Sequence, residues 1–174
     1  MSLIAIGYPK LAPKDYKRIQ SIRLKYDKLN MKIIAPHFTF IFPVENIKQS
    51  ILVDHVRPII QNFPKIDFEL NRFELSRTVF EGNWYIFLVP GKGRNNIIKL
   101  HDLLYTGLLA PELNSEYIFT PHITVGCLKD KNRCQDIIKK MNNNNFCISG
   151  RIDSIDIASY MDSRVESIDK FELK

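Results

Sequence analysis

Pro36-His37-Phe38-Thr39-Phe40 and Pro121-His122-Ile123-Thr124-Val125 are two copies of one pattern, their histidines 85 positions apart in a chain of 174 residues. Each reads proline, histidine, apolar, threonine, apolar. The surroundings, IIAPHFTFIF and YIFTPHITVG, are rich in β-branched and aromatic residues and predict strands. Side chains alternate across a strand, so His37 and Thr39 share one face while Phe38 and Phe40 take the other, and the second copy repeats this. A face carrying an imidazole beside a hydroxyl is costly to bury without partners. A single histidine on a strand is more often structural than catalytic. Two copies, both preceded by proline and both in apolar strands, reverse that expectation.

Working outward, Leu3 to Tyr8 predicts a buried strand, and residues 11–30 place Ile19, Ile22, Leu24 and Leu29 at roughly helical spacing. The first motif strand is expected from Ile33 to Phe42, and a helix from Ile47 to Phe63, which Pro58 should kink or shorten. Ile66 to Arg77 and the segment 83–91 predict two strands joined by a turn at Glu81-Gly82-Asn83. A loop, GKGRNN, then leads to a helix from Asn95 to Leu109. The second motif strand is expected from Tyr117 to Leu128, followed by a helix from Arg133 to Met141, a solvated run Asn142 to Asn145, and strands from Cys147 to Tyr160 and Val165 to Leu173. Strands and helices do not alternate strictly, which favours an α+β fold over a doubly wound one. Nothing linker-like divides the chain, so 1–174 reads as a single domain.

The formal charge of +6 suits a polyanionic partner and equally a generic basic surface. Three cysteines, Cys127, Cys134 and Cys147, form no CxxC pair, and their odd number argues against a secreted disulfide framework. The opening MSLIAIGYPK carries neither the basic region of a signal peptide nor the length of an anchor, so a cytoplasmic, non-membrane protein is expected.

An imidazole exchanges protons near neutrality, so two of them flanking one phosphate can serve as general base and general acid for phosphodiester cleavage. Threonine hydroxyls beside them can donate hydrogen bonds to non-bridging oxygens, where charge grows in the transition state. A zinc site would want three protein ligands, and neither Asp54 beside His55 nor Asp102 beside His101 supplies them. His55 and His101 lie in expected helices and read as packing residues. Aromatic and basic side chains could stack a base or hold a flanking phosphate: Tyr8, Arg94 and Tyr160 are the candidates, whereas Trp84 reads as core.

The paired motifs, in their settings APHFTFIFP and FTPHITVG, resemble the 2H phosphoesterases, and within them the bacterial 2′,5′-RNA-ligase-like proteins. The similarity extends over nearly the whole chain. It implies a bilobal α+β fold, with two lobes related by a pseudo-twofold axis around a central cleft. It further implies metal-independent chemistry, His37 and His122 as catalytic histidines, and Thr39 and Thr124 as phosphate-binding threonines; a monomer without cofactor is expected. The expected substrate is a nucleotide or RNA, cleaved at a 2′,3′-cyclic phosphate or a 2′,5′-phosphodiester. A silent nucleotide- or RNA-binding module using the same cleft is the alternative, and a protein-interaction domain with incidental motifs is a third. The geometric expectation is that the two motif strands lie side by side with both imidazoles facing one cleft.

Overall fold

The computed structural model describes residues 2–77, 82–114, 118–162 and 164–174. Strand β1 (Ser2–Gly7) is buried along its whole length because it runs between two neighbours in a sheet. After it come β2 (Lys10–Leu11), α1 (Pro13–Tyr26), α2 (Lys28–Ile33), β3 (Phe38–Val44) and α3 (Gln49–Asn62). The chain continues through β4 (Ile66–Arg77), β5 (Trp84–Pro90), α4 (Arg94–Leu104), a 3-10 helix (Gly107–Glu112) and β6 (Ile123–Leu128). It closes with α5 (Lys131–Asn142), β7 (Ile148–Ile152), β8 (Ser154–Met161) and β9 (Arg164–Glu172). The strands form two antiparallel sheets, ordered β3-β1-β8-β9 and β2-β7-β4-β5-β6, so the fold is α+β as expected.

Local chemistry explains several elements. Ile66, Phe68 and Leu70 of β4 bury alternate positions, but the next buried residue is Phe73, because a bulge between Leu70 and Arg72 shifts the phase by one. Gly93 sits at φ +79° as the cap of α4, where a Cβ would stand 2.3 Å from the Asp67 carbonyl, so only glycine fits. The main apolar cluster runs between the sheets, and a smaller one of Ile4, Ile6 and Ala158 lies on the other face of β1. Within the main cluster the Phe38 ring of β3 meets Phe68 of β4 edge-on, with centroids 5.1 Å apart.

The two halves repeat one plan. In the first, β1 leads through α1 to β3; in the second, β5 leads through α4 to β6. Each opening strand pairs antiparallel with its motif strand, placing Ile6 opposite Thr39 and Phe87 opposite Thr124. The helices are exchanged: α1 packs on β6, and α4 packs on β3. The Phe42 N–H of β3 donates to the Tyr105 hydroxyl just beyond α4, at 3.0 Å.

Several expected boundaries move. The 11–30 helix is two helices, broken at Asp27, where φ is −140° and the carboxylate is engaged by Arg23 and Asn30. Ile33 ends a helix rather than starting a strand, and β3 begins only at Phe38, since proline at 36 cannot donate to a ladder. The second motif strand likewise begins at Ile123, after Pro121; Tyr117 lies outside the described residues. The Asn95–Leu109 helix stops at Leu104 and turns into the 3-10 segment that contains Pro111. The strand expected from Cys147 to Tyr160 is two strands in different sheets. The chain changes sheet at Asp153, a buried carboxylate that Lys10 holds at 2.6 Å. Pro58 does not end α3, which runs on to Asn62 with the proline on its exposed side. Of the expected turn, Glu81 lies outside the described residues, while Gly82 has φ +64°.

Candidate active site

The two motif strands are not side by side in one sheet. Each is the outer strand of its own sheet, β3 at the end of one and β6 at the end of the other. Alternation along them holds: Phe38, Phe40, Ile123 and Val125 are buried, while Thr39 and Thr124 are half-buried. Both threonines line one cleft of about 370 Å³, together with His37, Tyr160, Tyr85, Phe42 and Arg23.

Both histidines precede their strands and are held in the same way. His37 Nδ1 lies 2.8 Å from the Ala35 carbonyl, and His122 Nδ1 lies 2.6 Å from the Thr120 carbonyl. A carbonyl only accepts, so Nδ1 carries the hydrogen and Nε2 is left as the atom that can take up or give a proton. In each copy the proline stands between carbonyl and histidine, and its locked φ sets the turn that brings the two together. His122 is stacked on Phe87, with centroids 3.5 Å apart and planes 11° from parallel. His37 meets Tyr8 edge-on at 6.3 Å.

Burial pushes both imidazoles down to about 4. For His37 the Ala35 carbonyl opposes this and the Arg23 charge adds to it; for His122 the Thr120 carbonyl opposes it and His37 adds to it. Both rings are therefore neutral near pH 7 in the free protein. Between the ordinary value of 6.5 and about 4, the unfolded chain takes up protons that the folded site refuses, so stability falls as pH drops through this window. Melting temperature should decline toward acid, and His37→Asn or His122→Asn should flatten that decline. An unaltered acid limb in both variants would place these rings in an open, solvated setting instead.

The remaining candidates divide. Tyr160, 38% exposed, lines the cleft. Tyr8 touches His37 but does not line it, and its hydroxyl is pushed up by burial and then by the Asp156 charge. Arg94 opens α4 and is not part of the cleft wall; its Nη1 is buried without a hydrogen-bond partner among the described residues. His101 is buried and stacked on Phe119 at 3.7 Å, and His55 Nε2 donates to the Leu104 carbonyl at 3.0 Å. Trp84 packs against the core, with Lys131 Nζ 4.9 Å from its ring centroid. Among the described residues, no three His, Cys, Asp or Glu side chains gather as a metal-binding group, and no helix is long and apolar enough to cross a membrane.

Sequence reading missed Phe42, Tyr85, Phe87 and Arg23. The first three look like ordinary strand apolars, and only register shows which face the cleft. Arg23 had a signal: Ile19, Ile22, Arg23 and Tyr26 follow the i, i+3, i+4, i+7 stripe of α1. That stripe is the buried one, whereas Leu24 and Leu29 are 57% and 76% exposed.

Two antiparallel sheets whose motif strands each give a threonine to the wall of one cleft, with His37 but not His122 among its lining residues, have the architecture of a 2H phosphoesterase. The chain belongs to the 2′-5′ RNA ligase superfamily, whose profile matches residues 11–164. A protein of Geobacillus sp. (strain WCH70), provisionally named a phosphoesterase, is 33% identical over 120 residues, spanning 63% of this chain and 63% of that one. The fold is similar to that of TT0787 of Thermus thermophilus, with a TM-score of 0.64 and 12% identity, covering 99% of this chain and 98% of that one. It is also similar to E. coli LigT crystallised with 3′-AMP, with a TM-score of 0.61 and 16% identity, covering 99% and 97%. Usb1 of Kluyveromyces marxianus follows with a TM-score of 0.56 and 8% identity, covering 99% and 98%.

Proposed function

We propose that this cleft cleaves a phosphodiester in a nucleotide or RNA, at a 2′,3′-cyclic phosphate or a 2′,5′ linkage, with His37 and His122 as the acid–base pair. The observation that carries the reading is the identical anchoring of the two imidazoles. Each is turned by a carbonyl two residues back so that Nε2 is the free nitrogen. On a cyclic phosphate, one neutral ring takes a proton from water while the other, protonated, donates to the departing ribose oxygen. Thr39 and Thr124 donate to the non-bridging oxygens. Phe42, Tyr85 and Tyr160 offer aromatic surface for a base, and the cleft has room for one nucleotide. The crystallised complexes of LigT with 3′-AMP, ATP and NADP+ support a nucleotide ligand for this family of clefts.

Both rings are pushed to about 4 in the free protein, so the acid form has to be restored on binding. A phosphodiester anion within reach does this, because an opposite charge favours the imidazolium. The bell-shaped profile of kcat should therefore lie at higher pH than that of kcat/KM, which reports the free enzyme. The test is turnover of 2′,3′-cyclic nucleotides and 2′,5′-linked oligonucleotides in the presence of a chelator, with both profiles recorded. Strict dependence on an added divalent metal, or superimposable profiles, would overturn the mechanism; saturable binding without turnover would favour the silent module.

A further inference from the structure

Arg23 is 2% exposed, on the face of α1 that also buries Ile19 and Ile22, yet it contributes to the cleft wall beside His37, Thr39 and Thr124. A guanidinium in such a place is costly unless it is paired. Its Nε donates to Asp27 Oδ2 at 3.1 Å, and its Nη1 stands 3.4 Å from Gln20 Oε1. No hydrogen bond is made by Nη2 to any described residue. The carboxylate behind it is equally constrained: Asp27 is 1% exposed, and Asn30 Nδ2 donates to its other oxygen at 2.7 Å.

This arrangement is poorly explained by stability alone. Replacing a buried ion pair with apolar residues is often neutral or favourable, and the α1 stripe would accept a methionine in this position. It is well explained by a ligand. Arginine's planar fork suits phosphate oxygens, and holding Nε from behind fixes the direction of the other edge. Among the described residues that line the cleft, Arg23 is the one with a permanent charge; the others are His37, threonines, tyrosines, Asn30 and apolar side chains.

We propose that Arg23 is the phosphate anchor of the cleft, its Nη edge binding a non-bridging oxygen of the diester on which His37 and His122 act, with Asp27 and Asn30 as positioning residues. The inference rests on the phosphodiesterase reading and can fail separately from it. The decisive measurement uses the unaltered protein, labelled with nitrogen-15 arginine and histidine, titrated with inorganic phosphate and with adenosine 2′,3′-cyclic phosphate. The Arg23 Nε–H signal should move along the same saturation curve as the two motif imidazoles. Movement of the imidazoles with a static Arg23 would overturn the anchor and leave the hydrolase. No response from any of them to either ligand, with no turnover, would sink both.

Variants supply the second arm. Arg23→Met should raise KM for the cyclic nucleotide about ten- to a hundredfold, as expected for losing a hydrogen bond to a charged group, with a smaller fall in kcat. Arg23→Lys should recover part of that loss. In Arg23→Met the His37 imidazole should also titrate at higher pH without any ligand, since a neighbouring cation has gone. An unchanged KM in both variants, or an unmoved His37 titration, would overturn the proposal. Should the methionine variant not fold, the lysine variant and the wild-type titration decide the question.

Discussion

His37→Asn and His122→Asn should each lower kcat/KM by about 10²–10⁴, the usual contribution of a positioned general acid or base. Asparagine is chosen because its amide can still donate to the carbonyl two residues back, so the local turn that holds the ring survives. The fold should be unharmed near neutral pH, and the acid limb of stability should flatten. The measurement is kcat/KM beside melting temperature, each as a function of pH. Turnover persisting at a tenth of wild type or more in either variant would take proton transfer away from that ring. Because the two act in one step, the double variant should be hardly worse than the poorer single one.

Thr39→Val and Thr124→Val should come next in size. Valine keeps the branched shape and suits a strand, but it cannot donate. Losing one donor to the charge that develops in the transition state costs about 2.7–4 kcal/mol, or roughly a hundred- to thousandfold in rate. Both threonines are half-buried and line the cleft, so melting temperature should hardly change. A large fall in melting temperature with unchanged activity per folded molecule would show that these hydroxyls serve the fold, and phosphate binding would have to be assigned elsewhere.

The strands, the long helices and the α+β class were legible because burial writes itself into a strand or helix as periodicity: Phe38 and Phe40 against Thr39, Ile123 and Val125 against Thr124. Boundaries were less so. Pro36 and Pro121 delay the strands until after the histidines, an effect of missing donors that apolar pattern alone does not register. The change of sheet at Asp153 was hidden because no glycine or proline separates Ile152 from Ile155, although the two strands pair with different neighbours. The motif residues could be singled out from two copies of five letters. Arg23 was harder to single out, since a lone arginine in a lysine- and arginine-rich helix looks like solvated surface, and only its place on the Ile19-Ile22-Tyr26 stripe marks it otherwise. Arg94 attracted notice as a basic residue in a glycine-bearing loop, but the helix it opens lies away from the cleft wall.

The exchange of helices, α1 on β6 and α4 on β3, means that neither half owns its motif strand outright. Each strand leaves its apolar face to be roofed by the opposite half. Melting one half would strip the roof from the other's histidine–threonine strand, so partial unfolding that preserved a working half is closed to this molecule. Loss of activity on heating and loss of structure should accordingly be one event, and severing the chain between the halves should yield two fragments that regain shape only in each other's company.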